Sequence, residues 1–162
     1  MRWGILSDTH NQLERTQRAV ALLQRSGAEV LFHCGDLASG PIVEVCAIMP
    51  CYFTFGNHDA DSVPELLQAA RESGVKCLGW GDVIEIAGRQ VGLAHGHLTK
   101  DLRRVLREEP DYLFTGHSHS CSDSQIGSTR RINPGALHRA NEYSVALLDS
   151  DSNELVFLSL SR

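Results

Sequence analysis

The chain of 162 residues has no long apolar run, no block of lysine or arginine and no Cys-x-x-Cys pair, and each absence removes a class of function. The N-terminal apolar stretch from Trp3 to Leu6 gives way to Ser7 and Asp8, far short of a spanning helix or signal-peptide core. No membrane anchor or export is therefore expected, and a cytoplasmic location is. The formal net charge is -5 and no basic stripe stands out, so there is no general electrostatic attraction for nucleic acid or an anionic membrane. Five cysteines, Cys34, Cys46, Cys51, Cys77 and Cys121, suit reduced, buried thiols better than a disulfide framework. Cys34 reads as core packing rather than a nucleophile. No glycine-rich loop follows the first strand, where Asp8-Thr9-His10 stands, and Gly79-Trp80-Gly81 lacks a third glycine, which argues against a dinucleotide-binding oxidoreductase. In Gly116-His117-Ser118-His119 the next residue is Ser120 rather than the glycine of a serine-hydrolase elbow. No repeat, linker or low-complexity segment divides the chain, and one domain over residues 1–162 is expected.

What is present is an alternation of periods. Residues 1–7 read as a strand and 13–25 as a helix with Leu13, Val20 and Leu23 inward. A strand at 29–33, a short buried helix at 42–49 and a strand at 51–55 complete a βαβαβ start. Such a unit implies parallel strands with right-handed crossovers and ligands beyond the C-terminal strand ends. Residues 83–87 and 90–94 read as a hairpin turning at Gly88-Arg89, 98–109 as a helix stopped by Pro110, and 112–115 as a strand. From Cys121 onward the pattern is strands only, including 143–148 and 155–160. The expected class is α/β, with two mixed sheets and helices outside.

Five short motifs each follow one of the apolar runs: Asp8-Thr9-His10, Gly35-Asp36, Gly56-Asn57-His58-Asp59, His95-Gly96-His97 and Gly116-His117-Ser118-His119. Within them Asp8, His10, Asp36, Asn57, His95, His117 and His119 are the side chains needed for two adjacent divalent ions. Residues i and i+2 of an extended segment point the same way, so Asp8 with His10, and His117 with His119, could each grip one ion. Two cations about 3.5–4 Å apart require a bridging carboxylate, and Asp36 is the natural candidate. Two divalent ions outweigh two carboxylates and a hydroxide, so the centre keeps positive charge and favours an anionic substrate such as phosphate. An oxygen and nitrogen ligand set without thiolate suits manganese, iron, cobalt, nickel or zinc.

The ordered set of motifs resembles the signature of calcineurin-like metallophosphoesterases. The resemblance runs from Asp8 to about Gly135, and the closing Asn133-Pro134-Gly135 is similar to the compact phosphodiesterase branch of bacteria and archaea. It implies a four-layer αββα sandwich with a dinuclear metal site at the strand ends. It implies Asp8, His10, Asp36 and His119 on one metal and Asp36, Asn57, His95 and His117 on the other, with a hydroxide between the metals attacking phosphorus. His58 would stabilise the transition state or protonate the leaving group, and Asp59 would orient its ring. Many compact relatives carry cysteine where His58 stands, so activity toward poorer leaving groups, including monoesters, is expected. Phe55 and Leu37-Ala38 depart from the protein Ser/Thr phosphatases, which disfavours phosphoprotein substrates. A small phosphodiester, nucleotide or phosphomonoester is expected instead. The rival is a non-catalytic scaffold, since the retromer scaffold subunit resembles this fold and has lost part of the metal machinery.

Other polar residues carry two readings. His33 is either behind the ligands or a packed structural histidine. His97 either borders the substrate or caps the helix near Thr99. His138 reads as surface, and Asn133 as a turn former that could touch the backbone of a metal-ligand loop. Arg130, Arg131 and Arg139 could offer phosphate contacts but read as solvated surface.

Overall fold

In the computed structural model, which describes residues 1–161, the first half of the chain is β1 (Arg2–Leu6), α1 (Leu13–Arg25), β2 (Val30–His33), α2 (Gly40–Cys46) and β3 (Cys51–Phe53). A 3-10 turn, Asn57–Ser62, then leads into α3 (Val63–Ser73) and the short β4 (Lys76–Cys77). The second half adds β5 (Asp82–Ile86), β6 (Arg89–Leu93), α4 (Thr99–Leu106), β7 (Tyr112–Phe114), β8 (Cys121–Ile126), β9 (Thr129–Pro134), β10 (Tyr143–Asp149) and β11 (Leu155–Leu160). One sheet has the order β11-β10-β1-β2-β3-β4 and the other β5-β6-β7-β9-β8. Both are mixed: β1 to β4 run parallel, β10 is antiparallel to β1 and β11 antiparallel to β10, and β6, β7 and β9 run parallel between antiparallel β5 and β8.

Three apolar clusters define four layers. The inner faces of the two sheets meet through Trp3, Ile5 and Phe32 on one side and Val91, Leu93, Tyr112 and Phe114 on the other. Trp3 is completely buried and packs edge-on against Phe32, Tyr112 and Phe114 at 5.8, 5.5 and 6.2 Å, contacts worth about 0.5–1.5 kcal/mol each beyond burial. The outer face of the first sheet carries α1, α2 and α3 through Leu23, Ile42, Val43 and Leu66. Val105 of α4 packs with Ala94 and Leu113 on the outside of the second sheet. This is the expected αββα arrangement.

Local differences have local causes. The inward stripe of α1 is Thr16, Ala19, Val20 and Leu23; Leu13 sits in the first turn and is 39% exposed, one turn before the packed face begins. The hairpin turns at Ala87-Gly88, one residue earlier than expected, because both take positive φ (51° and 73°), as a two-residue turn matched to strand twist requires. Helix α3 was not anticipated from the sequence, although Pro64 at its start and Gly74 in the left-handed cap at its end are its punctuation. No helix among the described residues is long and apolar enough to cross a membrane.

Candidate metal centre

The loops after β1, β2, β3, β6 and β7 gather at one edge of the sandwich and bring together Asp8, His10, Asp36, Asn57, His95 and His119, with His58 and His117 beside them. Three groups of side chains have ligand atoms mutually within 4.8 Å: Asp8, His10 and His119; His10, Asp36 and His58; and Asp8, Asp36 and His95. His117 joins none of these groups. Its ring stands edge-on to His95 with centroids 5.2 Å apart.

The two carboxylates divide their oxygens in the same way. Asp8 Oδ2 accepts from Ser7 Oγ at 2.6 Å and from the His117 backbone N–H at 3.1 Å, while buried Oδ1 has no hydrogen-bond partner. That free oxygen lies 3.0 Å from His119 Nε2 and 3.9 Å from the Nε2 atoms of His10 and His95. Asp36 Oδ1 accepts from the His58 backbone N–H at 2.9 Å, leaving Oδ2 facing His10 Nε2 at 3.3 Å and His95 Nε2 at 3.4 Å. One oxygen of each carboxylate is anchored and the other is turned inward.

The imidazoles are set from behind. His95 Nδ1 donates to the Cys34 carbonyl at 2.7 Å, so its Nε2 presents a lone pair to the cluster. That lone pair faces the Asn57 Oδ1 acceptor at 3.2 Å, an opposition that a cation between them resolves. His119 Nδ1 is 3.3 Å from the Arg139 carbonyl, which orients its Nε2 likewise. Buried His10 Nε2, like Asp8 Oδ1, has no hydrogen-bond partner. Orphaned buried donors and acceptors cost about 1–3 kcal/mol each, and a divalent ion is the group that satisfies an anionic oxygen and imidazole lone pairs together. The residues present fit the divalent ions expected of them.

Burial pushes the Asp36 carboxyl up, but the facing His10 and His95 rings and the His58 N–H outweigh it and hold the carboxyl well below its usual range. Burial likewise lowers His95, but the Asp36 carboxylate more than compensates and raises it. The two shifts are two sides of one attraction, between the Asp36 carboxylate and the imidazoles that face it.

The backbone corrects one expectation. Asp8, His10, Asp36, His117 and His119 have φ of 53°, 43°, 59°, 70° and 56°, all left-handed. Asp8 and His10 therefore do not share a face by strand alternation, and neither do His117 and His119; tight turns past the strand ends aim them. Left-handed non-glycine residues cost of order 1–3 kcal/mol each and concentrate at functional sites. Hydrogen bonds from the N–H groups of Asp8, His10 and Asn11 to the carbonyls of Gly35, Asp36 and Leu37 hold two of these loops together. Glycine supplies the close approaches. A Cβ on Gly56 would overlap Asp36 Oδ1, and one on Gly116 would overlap Ser7 Oγ and crowd Asp8 Oδ2 at 2.6 Å.

Asp59 is a second correction. It is fully buried, and its two oxygens accept the backbone N–H groups of Asp36 and Gly56, both at 2.8 Å, and Ala38 at 2.7 Å. Those bonds commit the carboxylate to tying two ligand loops together rather than to orienting the exposed His58. Burial pushes the Asp59 carboxyl above its usual range, and the Asp36 charge adds to this, against the pull of the three N–H groups. His58 itself lies 4.7 Å from His10 between ring centroids.

The remaining polar residues sort by geometry. His33 is fully buried, accepts the Gly35 N–H at Nδ1 and meets Thr9 Oγ1 through Nε2; burial pushes it down to about 3, so it is a neutral structural histidine. Asn133 forms its turn through the Gly135 N–H and also donates to the Gly116 carbonyl at 2.8 Å, bracing the loop of His117. Arg130 is held by Asp123 and Asn153, and Arg131 donates to Thr115 Oγ1. Burial raises the Cys34 thiol, as core packing requires. His138, expected at the surface, is half-buried beside the centre, with its ring centroid 4.9 Å from that of His10. The signal was β9, whose parallel pairing with β7 delivers the following residues to the same edge.

The chain is similar to known proteins over nearly its whole length. The calcineurin-like phosphoesterase superfamily domain matches residues 1–153. Phosphodiesterase MJ0936 of Methanocaldococcus jannaschii is 24% identical over 161 residues, covering 95% of this chain and 96% of that protein. The structure of a novel archaeal phosphodiesterase aligns with a TM-score of 0.86 at 23% identity, covering 99% of this chain and 100% of the other. Vps29 from Entamoeba histolytica, complexed with zinc, aligns with a TM-score of 0.63 at 19% identity over 98% and 91% of the two chains. With a family match over nearly its whole length and candidate metal-ligand groups at the strand ends, the chain belongs to the calcineurin-like phosphoesterase superfamily.

Proposed function

We propose that this chain is a metal-dependent phosphodiesterase that hydrolyses small phosphodiesters or nucleotides, with Asp8, His10, Asp36, Asn57, His95, His117 and His119 holding two divalent ions. The observation that carries the proposal is the pair of orphaned atoms, Asp8 Oδ1 and His10 Nε2, buried among imidazoles and a second carboxylate. When bound, the ions supply a water acidic enough to act as a nucleophile near neutral pH and positive charge to offset that on phosphate.

The chain's own residues do the rest. Asp36 shares one oxygen between the His10 and His95 sides, which suits a bridge. His58 is exposed beside His10, with its backbone fixed by Asp36 Oδ1, so its ring is free to give a proton to a departing alkoxide. Asp59 positions both loops from beneath. The archaeal phosphodiesterases among its relatives support the preference for diesters, and the retained His58 supports some monoester cleavage.

The second reading is a metal-binding scaffold, favoured by the likeness to Vps29. Strained loops and orphaned ligand atoms are a poor investment for a surface that only binds a partner, and this weighs toward catalysis. The test is hydrolysis of bis-p-nitrophenyl phosphate beside p-nitrophenyl phosphate by protein stripped of metal and reloaded with manganese, nickel, zinc or iron. Metal-dependent diester cleavage that is lost in Asp36→Ala supports the enzyme. Two bound metals with neither compound cleaved would favour the scaffold.

A further inference from the structure

A cavity of about 410 Å³ opens directly beside the candidate centre, lined by Asn57, Trp80, His97, Leu98 and Lys100 among others. Its volume falls within the range of about 300–1,000 Å³ usual for small-molecule sites. Asn57 belongs both to this wall and to the ligand set, so a molecule whose phosphate meets the centre has its substituent here.

The wall has a specific chemistry. Trp80 is 36% exposed and Leu98 is 45% exposed, two large apolar side chains left in water at the edge of a charged site. Trp80 is held rather than loose. Its ring packs on Phe55 at 5.3 Å and His97 at 5.9 Å, and its flanking residues are tied by Phe55 N–H to the Gly79 carbonyl at 2.7 Å and Arg104 to the Gly81 carbonyl at 2.5 Å. Asp101 is 3.9 Å from Arg104, whereas Lys100 makes no ion pair among the described residues. A purely aliphatic ester would cover the apolar surface but leave the exposed Lys100 on the cavity wall unused. A flat heteroaromatic group uses both surfaces, offering a face to Trp80 and ring heteroatoms to Lys100.

We propose that this cavity is the subsite for the planar base of a nucleoside phosphoester, with the base against Trp80 and Leu98 and its heteroatoms toward Lys100. The assignment rests on the phosphoesterase reading, and the experiment separates the two. The first arm needs no catalysis: Trp3 is completely buried, so a ligand at the surface acts on Trp80 emission. AMP should quench that emission, ribose 5-phosphate should not, and Trp80→Phe should abolish the response. The second arm compares thymidine 5'-monophosphate p-nitrophenyl ester with methyl p-nitrophenyl phosphate, which share a leaving group. In Trp80→Ala and Leu98→Ala the nucleoside-to-methyl ratio of kcat/KM should fall, by about tenfold or more for Trp80, through KM rather than kcat. Equal quenching by AMP and ribose 5-phosphate together with an unchanged ratio would overturn the subsite while leaving the phosphoesterase intact. If neither ester is cleaved, the phosphoesterase reading fails and the AMP titration alone decides the subsite.

Discussion

Asp59→Asn separates a structural carboxylate from a catalytic one. Asp59 Oδ2 accepts two buried backbone N–H groups and Oδ1 accepts a third, part-buried one, all at 2.7–2.8 Å. Asparagine preserves the shape but has only one acceptor oxygen. Placing it against Asp36 and Gly56 turns the side-chain amide N–H toward the Ala38 N–H, donor against donor. Hydrogen bonds to a charged acceptor contribute about 1.5–3 kcal/mol each, so losing one outright and weakening two should cost about 3–5 kcal/mol. That is a large part of the roughly 5–15 kcal/mol available to a domain. Urea unfolding of metal-loaded protein measures the loss directly. Because the two tethered loops carry Asp36 and Asn57, metal affinity should fall with stability, and excess metal should restore part of the activity. A stability loss below about 1 kcal/mol with full metal content and collapsed turnover would refute this reasoning and return Asp59 to the His58 ring.

Three further outcomes are expected. His58→Ala should keep metal content while lowering turnover by about 10²–10⁴-fold, the range for a lost general acid, and unchanged turnover would remove His58 from the mechanism. Gly116→Ala should cost stability and at least about tenfold in metal affinity, because its methyl collides with Ser7 and crowds Asp8 Oδ2; calorimetric titration with manganese would measure it. His33 is neutral in the fold, with its pKa pushed from 6.5 down to about 3 by burial, so the unfolded chain binds the extra proton between those values. Its contribution is intact above about pH 6.5 and declines on acidification, by about 2 kcal/mol at pH 5; His33→Gln should flatten the slope of stability against pH relative to wild type, and equal slopes would contradict this.

The legible and illegible parts of the structure differ for physical reasons. Helix α1 was readable over its full length because Val20 and Leu23 recur at helical spacing and the flanks are polar. The strand ends were readable because Asp8, Asp36, Asn57, His95 and His117 each stand just beyond an apolar run. How the ligands are aimed was not. Strand alternation put Asp8 and His10 on one face, whereas left-handed turns, enforced by pairing between the loops after β1 and β2, do the aiming. Helix α3 has an inward face of only Leu66, Ala69 and Ala70, a weak apolar signal next to its Pro and Gly boundaries. His138 needed the direction of β9, and a run of strands in the sequence does not carry direction.

The central claim is that one cluster holds two divalent ions bridged by Asp36. Anomalous diffraction from crystals of the manganese-loaded protein tests it most directly. The account predicts two manganese peaks about 3.5–4 Å apart, one contacted by Asp8, His10 and His119, the other by Asn57, His95 and His117, with Asp36 touching both. A single peak, or peaks that leave Asp36 without a metal contact, would contradict it.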